Sequence, residues 1–454
     1  MLSRTLRSVA WFPALCVLGA PLALKDAAAA AQQASFVERQ LVAAAVWSEA
    51  RYNYAYWDGM RADWDSAFAA VVTDAAGRRT PSDVAFFRRL RRFVALLGDG
   101  QAELLPPPAI AGRVARPPLA LRSIERRPFI MDYAVNDEMR IARPQRLAEI
   151  VLVQGIPAEQ WIRDSILPEV PSTTEGSRWE RAVAQMLEGE KGTALQLQLR
   201  VPGGEERGAS VTRSVALTAH WPLERPALEV DTLPGSAIWV RVNSLADEGV
   251  VPAFDRALEA GGAPRITGIV LDLRETARAG GGRGESGGGR EHGYAILARL
   301  IERPVLTSRW RTPQYRPAYR GADAPDSNGA WLTAPPDTIR PRRELARFTG
   351  PVAILASPRT AGAAEDLLVA FRNGSRGPII GETSAGSTGQ TLLLPLPRGW
   401  AFRVTVTRDA FPDGTEFART GIAPELPVAV SVDDVLAGRD AALERAREYL
   451  KLKR

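Results

Sequence analysis

The sequence predicts a multidomain α/β protein in three parts: an N-terminal helical domain, a small β-rich module and a C-terminal layered α/β domain. Three patterns carry this reading. Within residues 33–100, apolar positions recur at intervals of three and four, as at Phe87, Leu90, Val94 and Leu97. Between Val114 and Ala219, short apolar runs mix with one alternating stretch, Ala194 to Val201. From Ile238 onward, apolar strands alternate with amphipathic helices, the signature of a sheet covered by helices.

In the helical part, Pro81 and the cap candidate Ser82 start a helix that Gly98 stops. In the module, a helix is expected over Trp179–Leu187. In the α/β part the strand candidates are Ile238–Val242, Ile266–Leu273, Val352–Leu355 and Pro378–Ile380, with helices at Pro252–Ala260, Tyr294–Ile301 and Ala363–Phe371. Gly280–Gly289, with seven glycines, reads as an exposed loop, and Arg311–Arg343, with six prolines, as an irregular arm.

The 454 residues are 45% hydrophobic and 24% charged, enough for a substantial core. Net charge is +6, from 58 basic against 52 acidic residues, and almost all of the positive charge is arginine. No basic block is dense enough to predict nucleic-acid binding. Arg4 and Arg7, the apolar run Val9–Leu24 and the small residues Ala27–Ala31 follow the order of a secretory signal, so residues 1–31 are expected to direct export to the periplasm or the cell exterior; a membrane anchor is the alternative. The single cysteine, Cys16, falls inside this segment, which leaves the remainder without a disulfide, a thiol nucleophile or a cysteine metal site. His220 and His292 have no carboxylate at metal-ligand spacing, and the glycine loop lacks a phosphate-cradle ending. No metal and no cofactor are expected.

Five segments in fixed order resemble the tail-specific, or carboxy-terminal processing, serine peptidases, in particular the branch similar to interphotoreceptor retinoid-binding protein and the tricorn core. They are Leu96–Leu105, Gly268–Glu275 with its glycine loop, Val352–Asp366, Gly381–Gln390 and Pro412–Pro424. The resemblance implies a PDZ-like module and a crotonase-like peptidase domain. The implied boundaries are a signal at 1–31, the helical domain at 32–113, the module at 114–225, the peptidase-like domain at 226–435 and a C-terminal helix at 436–454. It also implies a peptide or an unfolded protein C-terminus as partner, captured in the module by strand addition.

The family places its serine in Thr-x-Ser-Ala-Ala-Glu, where a strand turns into a helix and free N–H groups can hold an oxyanion. Here the stretch is Thr360-Ala361-Gly362-Ala363-Ala364-Glu365, so the nucleophile position is Gly362. The family's Asp-Gly-His-Thr is Asp99-Gly100-Gln101-Ala102, and a glutamine amide is not a general base near neutral pH. A serine–lysine pair is closed as well, since no lysine lies between Lys191 and Lys451. Glu416 is the match for the third, acidic member, with Ala418 as the other register. Gly281, Gly282 and Ala363 are the candidate oxyanion or peptide-binding positions, although Thr276–Ala279 interrupts the glycine run.

These substitutions predict a pseudopeptidase that binds peptide without classical serine hydrolysis. Two alternatives stay open. One is an active hydrolase, with a displaced nucleophile among Ser357, Ser375, Ser384 and Ser387 or with Glu416 or Glu365 activating water. The other is a binder of a small apolar ligand.

Overall fold

The computed structural model describes residues 20–75, 82–134, 145–219, 225–260, 266–276, 289–315, 330–342, 344 and 347–452. It is a mixed α/β multidomain fold. Helices α1 (Ala20–Asn53), α2 (Trp64–Ala75) and α3 (Asp83–Ala95) form the N-terminal part. Ser82 caps α3 through a bond from the Ala85 N–H, satisfying a donor the helix itself leaves open. The apolar stripe of α3 is buried against Tyr54, Trp64 and Val71. Its other neighbours, Trp400, Phe402 and Val404, come from the far end of the chain. Strand β1 (Glu103–Leu105) leaves this bundle and joins β14 (Thr391–Pro395) and β15 (Ala401–Thr405) in a small antiparallel sheet of order β1-β15-β14.

The module is a five-stranded antiparallel path of β2 (Leu119–Ile124), β3 (Arg127–Tyr133), β4 (Glu149–Val153), β5 (Ala194–Arg200) and β6 (Glu206–Thr212). Its alternating strand β5 buries Leu195, Leu197 and Leu199 and exposes the residues between, as a one-sided sheet must. Helix α4 (Glu175–Gln185) covers this face, beginning four residues before the sequence reading because Thr174, not a residue nearer Trp179, supplies the cap.

The third part is built on a six-stranded sheet of order β7 (Leu228–Leu233), β8 (Ala237–Val242), β9 (Ile269–Asp272), β12 (Val352–Ala356), β13 (Ile379–Gly381) and β17 (Leu426–Pro427). Only the β7–β8 pair is antiparallel; the remaining pairs run parallel. All five residues of β12 are buried, and the strand is an unbroken apolar run because helices cover both faces. Helices α5 (Val250–Ala260), α6 (Arg290–Leu297) and α7 (Ala363–Asn373) pack on one face, and α8 (Ala441–Leu452) on the other. Helix α6 starts four residues earlier than its periodicity suggested, since Arg290 and Glu291 form a polar first turn that an apolar count omits.

The proline-rich arm differs from the sequence reading. Its described ends form β10 (Arg309–Pro313) and β11 (Trp331–Ala334), which pair with each other, and β10 also pairs with β16 (Arg408–Ala410). Pro313 sits at the end of its strand, where a missing N–H removes little. The expected signal segment lies outside the described residues up to position 19, and residues 20–31 belong to α1. Among the described residues, no helix is long and apolar enough to cross a membrane.

Candidate functional site

Strand β12 ends in a turn, Ser357 to Ala361, that delivers Gly362 to the start of α7. Thr360 fixes the turn by donating from its hydroxyl to the Leu273 carbonyl and accepting from the Ser357 N–H, both at 3.0 Å. Gly362 has φ 59° and ψ −126°, a conformation that strains any residue with a Cβ. A Cβ built there would nevertheless meet nothing within 4 Å, so the position faces open space. The strain is of the kind found at the exposed strand-to-helix turns that present nucleophiles.

Gln101 lies on the turn between α3 and β1. Asp99 organises that turn: one carboxylate oxygen accepts from the Gln101 N–H at 2.9 Å and the Thr405 hydroxyl at 2.8 Å, the other from the Thr405 N–H at 3.0 Å. The Gln101 amide donates to the Gly389 carbonyl at 2.8 Å. Asp99→Ala would leave these buried donors without an acceptor and is expected to cost about 2 kcal/mol, read as a lower denaturant midpoint at unchanged slope.

The two turns meet through a third segment. Ser387 accepts the Gly362 N–H on its carbonyl at 2.9 Å, and its side chain packs on Gly100 so closely that a Cβ at 100 would lie 2.4 Å from Oγ. Gly100 is thus required by close approach. The Ser387 hydroxyl is buried and makes no hydrogen bond among the described residues. The bridging segment is itself held by Glu365, on the first turn of α7. Glu365 accepts from the Ser384 hydroxyl at 2.5 Å, the Gly386 N–H at 2.7 Å and the Ser387 N–H at 2.8 Å. Burial pushes its carboxyl up to about 7, against the pull of these three donors.

The next residue, Asp366, accepts from Arg290 at 2.8 Å and from the Ser308 hydroxyl at 2.9 Å. Arg290 also reaches Asp409 at 3.1 Å, and burial together with Asp366 raises the Asp409 carboxyl to about 7. Two buried carboxylates therefore share one guanidinium directly behind the site. The module reaches the same place: Arg181 on α4 donates to the carbonyls of Gly100, at 2.9 Å, and Pro171, and Thr173 donates to the Ala385 carbonyl at 2.6 Å.

Gly362, Ala363 and Gln101 are thus gathered around one short segment. Glu416 instead pairs with Arg311 at 2.5 Å and is partly exposed, with no bond to Gln101. The other register, Ala418, is buried in the core that also contains Ala102. Gly281 and Gly282 lie outside the described residues, as does His220. His292 bonds through Nδ1 to the Leu245 carbonyl at 2.8 Å. Among the described residues, no group of three or more His, Cys, Asp or Glu could hold a metal ion.

Sequence reasoning named Glu365 but missed its role as a clamp, and it missed the Arg290–Asp366–Asp409 cluster. The signal was available. Two adjacent acids inside the otherwise apolar run Ala363–Phe371 must be buried, and buried carboxylates require partners.

A parallel sheet whose strand feeds a helix through a strained, outward-facing turn, beside a polar turn from another domain, is the layout of a serine-type hydrolase site. Comparison with known proteins makes this specific: residues 239–428 match peptidase family S41. That stretch carries the peptidase family S41 domain, and the chain is similar to the tail-specific, carboxyl-terminal-processing proteases. It is 25% identical over 295 residues to the chloroplastic carboxyl-terminal-processing peptidase 2 of Arabidopsis thaliana, covering 63% of this chain and 50% of that one. It is also 25% identical over 278 residues to the carboxy-terminal processing protease CtpA of Bacillus subtilis, covering 60% and 51%. The chain therefore spans about half the length of these curated relatives. Mature CPAF, solved with lactacystin, superimposes with a TM-score of 0.68 at 13% identity, covering 92% of this chain and 98% of that one, a likeness of fold.

Proposed function

We propose that this protein is a pseudopeptidase: an exported tail-specific protease relative that holds a peptide or a protein C-terminus beside Gly362 without hydrolysing it by serine chemistry. The observation that carries the reading is the pairing of Gly362, which has no attacking atom, with Gln101, whose amide is spent as a donor to Gly389. Hydrolysis of an amide by this layout needs a nucleophilic oxygen and a proton acceptor in contact. Neither side chain supplies one.

In this reading the domains are a signal at 1–31, a helical domain at 32–113, a PDZ-like module at 114–225, a crotonase-like peptidase domain at 226–435 and a C-terminal helix at 436–454. The contacts from Arg181 and Thr173 support a module that reports on the site. The test is restoration: Gly362→Ser with Gln101→His is expected to create peptidase activity toward unstructured peptides, with none in the natural sequence.

A second reading, an active hydrolase with a displaced nucleophile, is favoured by one observation. Ser384 is bonded to Glu365, a carboxylate whose affinity for protons is poised near neutrality. Both side chains, however, have 0% exposure, and the Ser384 oxygen is also occupied by the Ile422 N–H at 2.8 Å. Ser387 has a free hydroxyl but no base bonded to it. Peptide cleavage by the natural sequence that disappears with Ser384→Ala or Ser387→Ala would replace the pseudopeptidase reading with this one.

A further inference from the structure

Strand β2 stands at the end of the module's five-stranded path and, among the described residues, pairs on one side only, with β3. Such an edge presents outward N–H and C=O groups, the groups that an added peptide strand uses. Here the edge is already engaged. The Ser123 N–H, opposite Pro128 of β3, turns away from that strand and donates to the Glu180 carboxylate of α4 at 3.3 Å. Glu180 is 9% exposed, and α4 packs against β2. The carboxylate therefore sits between the helix and the edge, where an entering strand would lie.

The contact is poorly satisfied. Among the described residues Ser123 supplies the one hydrogen bond to Glu180, and it is long. Arg122 Nη2 stands 3.8 Å from the carboxylate, beyond hydrogen-bond reach, and the Arg122 Nε–H is buried without an acceptor. Arg122 is nevertheless held in place: its Nη1 pairs with Glu275 at 3.0 Å, and Glu275 pairs with Arg359, on the turn that delivers Gly362, at 2.5 Å. Burial pushes the Glu180 carboxyl up, as expected for a charge removed from water without full compensation. An orphaned donor and an under-bonded carboxylate thus meet at one point of the edge.

A carboxylate that is not tethered to a helix fits that point better than Glu180 does. The α-carboxylate of a peptide lying along β2 can take the Nε–H and Nη2–H of Arg122 as a fork, while its backbone adds the ladder bonds of a new strand. Glu180 then returns to water. We propose that Glu180 is an internal stopper: it occupies the place of a ligand's α-carboxylate at Arg122 and Ser123, and a protein C-terminus binds the module by displacing it. This rests on the reading that the protein holds a protein C-terminus. The group selected is a free α-carboxylate, since a C-terminal amide offers Arg122 one neutral oxygen in place of a charged pair.

The test is fluorescence anisotropy of the full chain with a pool of fluorescein-labelled decapeptides of randomised sequence bearing free C-termini, and with the same pool amidated. Glu180→Ala is expected to raise the apparent affinity for the free-carboxylate pool at least about tenfold over the natural sequence, with the amidated pool bound at least about fivefold more weakly. Glu180→Gln keeps an oxygen for the Ser123 N–H but removes the charge beside Arg122, and should raise affinity less. It also preserves the side-chain volume should the alanine variant not fold, and thermal unfolding shows which variants are folded. Adding Arg122→Gln to either should abolish the gain. The proposal is overturned by folded Glu180 variants that bind the pool no better than the natural sequence, or not at all up to about 1 mM. Equal binding of the amidated pool, or a gain that survives Arg122→Gln, would likewise reject it. Cleavage of the pool by the natural sequence would count against the pseudopeptidase reading alone, since the affinities of the variants decide this one.

Discussion

Replacing Glu365 with alanine is expected to lower the stability of the peptidase-like domain by about 3–5 kcal/mol, because one buried carboxylate satisfies three buried donors. The Ser384 hydroxyl and the N–H groups of Gly386 and Ser387 would all lose their acceptor in a region with no water access. The damage would extend to the site, since the Ser387 carbonyl holds the Gly362 N–H. Glu365→Gln keeps the volume and one oxygen but turns an amide toward donors, and should cost about 1–3 kcal/mol. Denaturant unfolding of the two variants measures this directly. A loss below about 1 kcal/mol for the alanine variant would show that Glu365 is not the clamp.

The same residue sets a pH dependence whose sign follows from its surroundings. Burial raises the Glu365 carboxyl from an ordinary 4.5 to about 7 in the folded chain. Between those values the folded state keeps a proton that the unfolded chain has released. Stability therefore falls as pH rises from about 4.5 to about 7 and levels off above. Asp409, raised from 3.8 to about 7, adds a contribution of the same sign. Glu365→Gln should flatten part of this slope. A slope identical to that of the natural sequence would assign the effect to other groups.

Gly362→Ser with Gln101→His is expected to produce the largest functional change. The new serine has room, since a Cβ at 362 meets no atom within 4 Å. Its cost is backbone strain at φ 59°, about 1–3 kcal/mol, which should appear as reduced stability of the single variant with no activity. At position 101 an imidazole can take over the amide's bond to the Gly389 carbonyl with one nitrogen, which fixes the tautomer and leaves the other nitrogen basic. General-base assistance of this kind contributes about 10²–10⁴-fold. The double variant should therefore exceed Gly362→Ser alone by that factor in peptide turnover and react with a serine-directed fluorophosphonate. A folded double variant that neither cleaves nor labels would place the defect beyond these two residues, at the donors that receive the oxyanion.

The sequence made the layered α/β domain legible because strand and helix periodicity are local properties: β8, β9, β12 and β13 fall within a few residues of their apolar runs. It also singled out Gly362 and Gln101 as candidate site positions, since a glycine without a hydroxyl and a glutamine without an imidazole are facts of residue type. It misjudged the arm, where β10 and β11 are strands only because β16, nearly a hundred residues later, pairs with β10.

The amino-acid sequence thus sufficed for which residue types stand at the expected site positions, Gly362 and Gln101, and for the order of the elements that carry them. The tertiary structure decided what surrounds them: the bond from Gln101 to Gly389, 288 positions apart, the clamp of Glu365 on Ser384–Ser387, and the engagement of Glu416 by Arg311. The division has a physical reason. Backbone preference and side-chain chemistry belong to single residues and short windows, whereas a hydrogen bond or a buried ion pair exists only once packing has brought distant partners within 3 Å and removed the water between them.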